Sequence, residues 1–154
     1  GRLFDGAAAM VCGIGTASFE AQGPMMLESI AATAGPGRAV ELPLGADESG
    51  ILRTDWSPLL PRLRDTSRPA AGRAADFHAS MAQALAAQAG MIAQREGFEH
   101  IGLTGGVFQN RLLADTVLER LAAAGHSAVL GGAIPANDAA ICYGQAAEHA
   151  ARSA

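Results

Sequence analysis

An α/β fold with parallel strands is what this sequence predicts, on two observations. From residue 70 onward the apolar pattern alternates helix, strand, helix, strand, helix. Glycines at Gly105-Gly106, Gly125 and Gly131 punctuate that alternation where strands pass into helices and back. Strands linked through helices in this way lie parallel, with right-handed crossovers.

Taken in order, residues 2–13 read as an amphipathic helix, with Leu3, Phe4, Ala7, Ala8 and Val11 at helical spacing and Gly13 and Gly15 as its stop. A loop through Phe19-Glu20-Ala21-Gln22-Gly23 leads to a second helix at 24–34, where Pro24 suits the first turn. Short strands are expected at 38–42 and 50–55, around the turn-rich Gly45-Ala46-Asp47-Glu48-Ser49-Gly50. Trp56-Ser57-Pro58 opens a short helix to residue 65, with Ser57 as a candidate cap. The longest helix spans 70–96 and carries Phe77, Met81, Leu85, Ala89 and Ile92 as its buried stripe. A strand at 100–104, a helix at 108–124, a strand at 127–130, a loop to Asn137 and a helix at 138–151 complete the chain. No repeat or linker divides it, so residues 1–154 read as one domain or part of one.

The 154 residues are 49% hydrophobic and 17% charged, enough for an apolar core and unlike a disordered segment. No apolar run reaches the roughly 18–20 residues of a membrane-spanning helix, so a protein with no membrane contact is expected. The formal charge is −4, and all 11 basic residues are arginines without a cluster, which argues against nucleic-acid binding. The absence of lysine removes Schiff-base and P-loop lysine chemistry. Cys12 and Cys142 stand far from any metal-binding spacing, which fits a reduced, cytoplasmic setting. Apolar periodicity already runs at the third residue, with no initiator Met and no polar lead-in, as expected of a segment from a longer protein.

The chemically most informative stretch is Thr104-Gly105-Gly106-Val107-Phe108-Gln109-Asn110. A strand ends, two glycines follow and a helix begins, which brings open backbone N–H groups to the carboxyl end of a strand. Such a turn suits a phosphate, and it also serves as a plain tight connection, with Asn110 an ordinary first-turn residue. In Pro135-Ala136-Asn137-Asp138-Ala139-Ala140, Asp138 is either a helix cap or one ligand of a cation. Cys142 reads as a buried small apolar residue. His78, His100, His126 and His149 lack metal-site spacing and read as structural or surface residues. Asp5, Glu20 and Glu28 flank a glycine-interrupted region, where a carboxylate on a helix can accept from ribose hydroxyls. No complete set of catalytic residues is present, and no residue stands out as the catalytic group.

Together these segments resemble one family. Gly1-Arg2-Leu3-Phe4-Asp5, Phe19-Glu20-Ala21-Gln22-Gly23, Leu27-Glu28-Ser29-Ile30-Ala31, Asp76-Phe77-His78, the Leu103–Asn110 stretch, Pro135-Ala136-Asn137-Asp138 and Gly144-Gln145 are similar, in this order, to the C-terminal domain of HypF-type carbamoyltransferases. The likeness covers essentially the whole chain, and the Thr104–Asn110 stretch is its most specific part.

The resemblance implies an RNase H-like lobe of the ASKHA superfold (actin, heat-shock chaperones, sugar kinases) that holds a nucleotide in a cleft. It implies ATP or carbamoyl-adenylate as cofactor, with Gly105, Gly106 and Asn110 at the phosphates and Asp5 and Glu28 at the nucleoside. Asp138 matches a carboxylate ligand of a divalent metal (iron, zinc or magnesium), whose histidine ligands belong to a motif that would precede Gly1. The implied reaction passes a carbamoyl group to the C-terminal cysteine of HypE during nickel–iron hydrogenase maturation, and these residues alone would be inactive. The partners implied are a HypE-like acceptor and the N-terminal domains of the same protein, with a homodimer through exposed apolar surface as a further expectation. Alternatives are a relative of the O-carbamoyltransferases or tRNA threonylcarbamoyl transferases, or a nucleotide-binding module without chemistry. The family's usual Asp-Gly-Gly reads Asp138-Ala139-Ala140 here, which places two methyl groups where backbone could approach a ligand.

Overall fold

A computed structural model describes residues 2–153; Gly1, the first residue of the opening motif, lies outside them. Helix α1 (Arg2–Cys12) buries Phe4, Ala7, Ala8 and Val11, the three- and four-residue spacing read from the sequence. Helix α2 (Gln22–Ala31) begins earlier than expected, because Ala21 takes a left-handed conformation at φ 63° and turns the chain into it. The two helices approach closely at Gly23, where a Cβ would stand 3.0 Å from that of Ala8.

The strand expected at 38–42 is absent, for a physical reason. Arg38 N–H donates to Asp76 Oδ1 at 2.7 Å and Val40 N–H to Ser80 Oγ at 2.8 Å. Helix side chains thus satisfy the donors that a neighbouring strand would have taken. The antiparallel hairpin instead pairs β1 (Leu44–Ala46) with β2 (Leu52–Thr54), with Leu44 opposite Thr54. Asp47 holds its loop together: Oδ1 accepts from the N–H groups of Ser49 and Ile51, and Oδ2 pairs with Arg53 at 2.6 Å. Ser57 does not cap the next helix, α3 (Leu59–Arg64); its hydroxyl donates back to Asp55 instead.

Helix α4 (Ala70–Glu96) runs for 27 residues, about 40 Å, through the middle of the molecule. Its burial differs from the expected single stripe. Every residue from Arg73 to Ser80 is buried, whereas Met81, Leu85, Ala89 and Ile92 are only partly covered. Small residues permit this all-round burial: at Gly37 the chain lies so near α4 that a Cβ would overlap the Ala75 carbonyl. Asp76, 3% exposed, is held by Arg68 at 2.6 Å and by Arg62 at 3.6 Å.

Strands β3 (His100–Leu103) and β4 (Ser127–Leu130) are parallel, in register from His100 opposite Ser127 to Leu103 opposite Leu130. Helix α5 (Arg111–Ala123) joins them and buries Leu113, Ala114, Val117 and Leu121. The predicted helix–strand–helix–strand–helix order is therefore present, and the molecule is α/β. Helix α6 (Ile141–Arg152) begins three residues later than expected and has no buried residue. Cys142 is exposed, correcting its expected burial, because α6 lays no face against the core. No helix among the described residues is long and apolar enough to cross a membrane.

Candidate functional site

The glycine turn after β3 is built from three fixed points. Gly105 takes φ 105° and ψ 152°, a region open essentially to glycine alone. Its N–H donates at 2.6 Å to the carbonyl of Ala136, which ties the turn to the loop after β4. A short 3₁₀ helix, Gly106–Gln109, follows in place of the first turn of the expected helix. Among the described residues, no protein group accepts from the N–H of Gly106, Val107 or Arg111. Two adjacent donors at the carboxyl end of a parallel strand are what an anion needs.

Asn110 closes the turn and caps α5: its Oδ1 accepts from Leu113 N–H at 2.8 Å. Its Nδ2 lies 2.9 Å from His78 Nε2, and His78 Nδ1 lies 2.8 Å from the Ala74 carbonyl. His78 is 1% exposed and meets the rings of Phe4 and Phe77 edge-on, at 5.5 and 5.8 Å between centroids. Burial pushes its imidazole below the ordinary value of 6.5, against the Ala74 carbonyl and the Glu28 charge, which act the other way. Glu28, on α2, reaches the same helix end, where its Oε1 accepts from Leu112 N–H at 3.1 Å. Negative charge at a helix N-terminus is favourable.

The opposite wall is Asn137-Asp138-Ala139-Ala140. Asn137, rather than Asp138, caps this turn: its side chain accepts from Ala139 N–H at 3.2 Å and its carbonyl from Ala140 N–H at 3.1 Å. Ala140 sits at φ −89°, which alanine adopts without strain, so the two alanines are compatible with the turn. Their N–H groups are already engaged, and any anion grip falls to the glycine side. Asp138 is exposed, and no group of three His, Cys, Asp or Glu residues that could hold a metal forms among the described residues. One carboxylate does not make a metal site.

The structure thus brings Gly105, Gly106 and Asn110 together with the Asn137–Asp138 loop, and Glu28 touches the residue two places after Asn110. Asp5 is exposed on α1 and shares no hydrogen bond with them; its carboxylate lies near Gly23. The sequence reading missed the bond from His78 to Asn110. The only signal was the place of His78 beside Phe77 in the middle of the longest helix.

The family model that matches this chain, over residues 1–145, is described as Carbamoyltransferase, Kae1-like Domain, second subdomain. The carbamoyltransferase HypF of Rhodobacter capsulatus is 40% identical over 155 residues, covering 99% of this chain and 19% of that protein. Carbamoyltransferase HypF of Synechocystis is 34% identical over 146 residues, covering 94% and 18%. Full-length HypF solved in a phosphate- and nucleotide-bound form superposes with a TM-score of 0.79 at 25% identity, over 90% of this chain and 18% of that one. HypF of T. kodakarensis shares the fold, with a TM-score of 0.70 at 22% identity. The chain spans about a fifth of the length of the curated relatives it matches.

Proposed function

This chain belongs to the HypF carbamoyltransferase family, matching the second subdomain of its Kae1-like domain, and we propose that it supplies the nucleotide-holding side of a carbamoyl-transfer site. The single observation that carries this reading is the pair of N–H groups at Gly106 and Val107 with no acceptor among the described residues, on a turn whose first residue has a backbone that favours glycine. The phosphate- and nucleotide-bound state of a HypF relative supports the same reading. In this proposal the lobe is RNase H-like, of the ASKHA kind, and the ligand is ATP or carbamoyl-adenylate.

Gly105 shapes the turn, Gly106 lets a phosphate approach the backbone, and Asn110 adds a side-chain donor beside it. Asp5 and Glu28 lie toward the nucleoside; Glu28 keeps one carboxylate oxygen beyond its bond to Leu112. The acceptor is the C-terminal cysteine of a HypE-like protein in hydrogenase maturation. Its sulfur, as the thiolate after its proton has passed to solvent, forms a bond to the carbamoyl carbon, the bond from that carbon to the phosphate oxygen breaks, and AMP departs with the electron pair. Donors fixed at the phosphate stabilise the charge it gains. A divalent metal would find one carboxylate in Asp138 and would need its other ligands from outside these residues. In this reading the chain works in the cytoplasm and is active only with the rest of a HypF protein. Exposed Phe98, Val129 and Tyr143 offer apolar surface for those domains or for a second copy.

Calorimetry with ATP, with and without magnesium, tests the reading. A Cβ at Gly106 would meet only Gln109 Oε1, at 3.9 Å, so Gly106→Ala leaves the fold in place while filling the approach to the turn. The expected result is binding by the wild type and at least about tenfold weaker binding by G106A, the scale of one charge-assisted hydrogen bond. No ATP binding by the wild type, or equal binding by G106A, would sink it.

A further inference from the structure

Resting on that nucleotide reading, we infer that His78 is a positioning residue that locks the Asn110 side chain as a donor toward the glycine turn. The logic starts from a group that cannot change role. The Ala74 carbonyl only accepts, so His78 Nδ1, 2.8 Å away, carries the ring proton. Nε2 is then bare and accepts, which requires the atom 2.9 Å from it to be the Asn110 NH₂. With the amide fixed that way round, Oδ1 is the atom that accepts from Leu113 N–H. The second Nδ2 hydrogen is left for a ligand.

A flipped amide would set Oδ1 against the bare Nε2 and NH₂ against the Leu113 N–H, losing both bonds at once. The pair joins α4 to the first turn of α5 across 32 residues of sequence. His78 at 1% and Asn110 at 9% exposure leave little solvent to substitute for either partner. Edge-on packing of the imidazole against Phe4 and Phe77, which also meet each other at 4.9 Å, holds the ring in place. The outcome is an asparagine whose free amide hydrogen is a donor, never an acceptor, at the end of the turn that carries the N–H groups of Gly106 and Val107. That polarity suits a phosphate.

Two variants separate this role from simple packing. His78→Gln keeps an acceptor near the Nε2 position, whereas His78→Asn keeps a donor for the Ala74 carbonyl but ends short of Asn110. Both lose the ring's contacts with Phe4 and Phe77. Nuclear magnetic resonance reads exchange of the Asn110 side-chain amide and of Leu113 N–H, and calorimetry reads ATP affinity. H78N is expected to speed both exchanges and weaken ATP binding by about tenfold, while H78Q stays within about threefold of the wild type. Equal behaviour of the two variants, or unchanged Asn110 exchange in H78N, overturns the lock. If H78N loses the protection but the wild type binds no ATP, the lock stands and the nucleotide reading fails. Should H78N not fold, the imidazole nitrogen resonances of the unmodified chain decide: protonated Nδ1 with bare Nε2 supports the lock, and the opposite tautomer overturns it.

Discussion

Glu28 Oε1 accepts the backbone N–H of Leu112 at 3.1 Å, bridging α2 to the first turn of α5 across 84 residues of sequence. With Asn110 on Leu113, two of the donors at that helix end are satisfied by side chains. Glu28→Ala is expected to cost about 1–2 kcal/mol, the sum of a hydrogen bond and a charge at a helix N-terminus. Glu28→Gln, which keeps the acceptor, should cost about half as much. Urea denaturation of the three proteins measures this, and equal stability of all three would show the bridge to be idle.

The two glycines of the turn should respond differently to the same methyl group. Gly105→Ala meets no atom within 4 Å, so its cost is wholly that of the backbone at φ 105°, about 1–3 kcal/mol. Gly106→Ala should change stability by less than about 0.5 kcal/mol. Thermal melts distinguish the pair: G105A should melt several degrees lower, and G106A alongside the wild type.

Asp76 should be the most sensitive charged position. Its carboxylate is 3% exposed and faces Arg68, Arg62 and Arg38 N–H. Asp76→Asn keeps an acceptor for Arg38 but strips the arginines of their counter-charge, and about 3 kcal/mol should be lost. Arg68, whose side chain is 30% exposed, is partly solvated, and Arg68→Ala should cost about 1 kcal/mol or less. Denaturation curves in low and high salt check both, with the Asp76 loss persisting in high salt.

Stability should fall as the medium is acidified below pH 6.5, and His78 is one cause. Burial holds its folded-state affinity for protons below that of the unfolded chain, whose histidines charge near 6.5. The contribution is complete above 6.5 and is lost as pH falls from there through the lower folded value. His78→Gln should flatten this part of the profile. A second loss belongs to Asp47, held near about 2 first by the Ser49 hydroxyl and then by Arg53, and it appears only below pH 3.8. Unfolding free energies at half-unit pH intervals separate the two windows.

The parallel pair of strands, the longest helix and the glycine turn were legible because each rests on local signals: apolar alternation, three- and four-residue spacing, glycine at a strand end. The segment at 38–42 was misread because its donors are satisfied by Asp76 and Ser80, partners that lie 38 and 40 residues away. Cys142 was misplaced because the pattern of α6 is amphipathic while the helix buries nothing. For the site, spacing left Asn110 between a ligand contact and an ordinary first-turn residue, and only the resemblance set it at the phosphates; its partner His78 sits on another helix, and only the folded chain joins them.

The way the chain crosses α4 at Gly37 has a consequence for what sequences this fold tolerates. Arg38 and Val40 are held by their peptide groups, so the specification is written on the helix, in Asp76 and Ser80, and not on the segment that is held. Arg38, whose side chain is exposed, is free to become almost any residue except proline, which has no N–H to give. Gly37 is free to become none, because the Ala75 carbonyl occupies the space of its missing side chain. Variation should therefore be broad at Arg38 and forbidden one residue before it, a contrast that saturation mutagenesis of the two neighbouring codons would display directly.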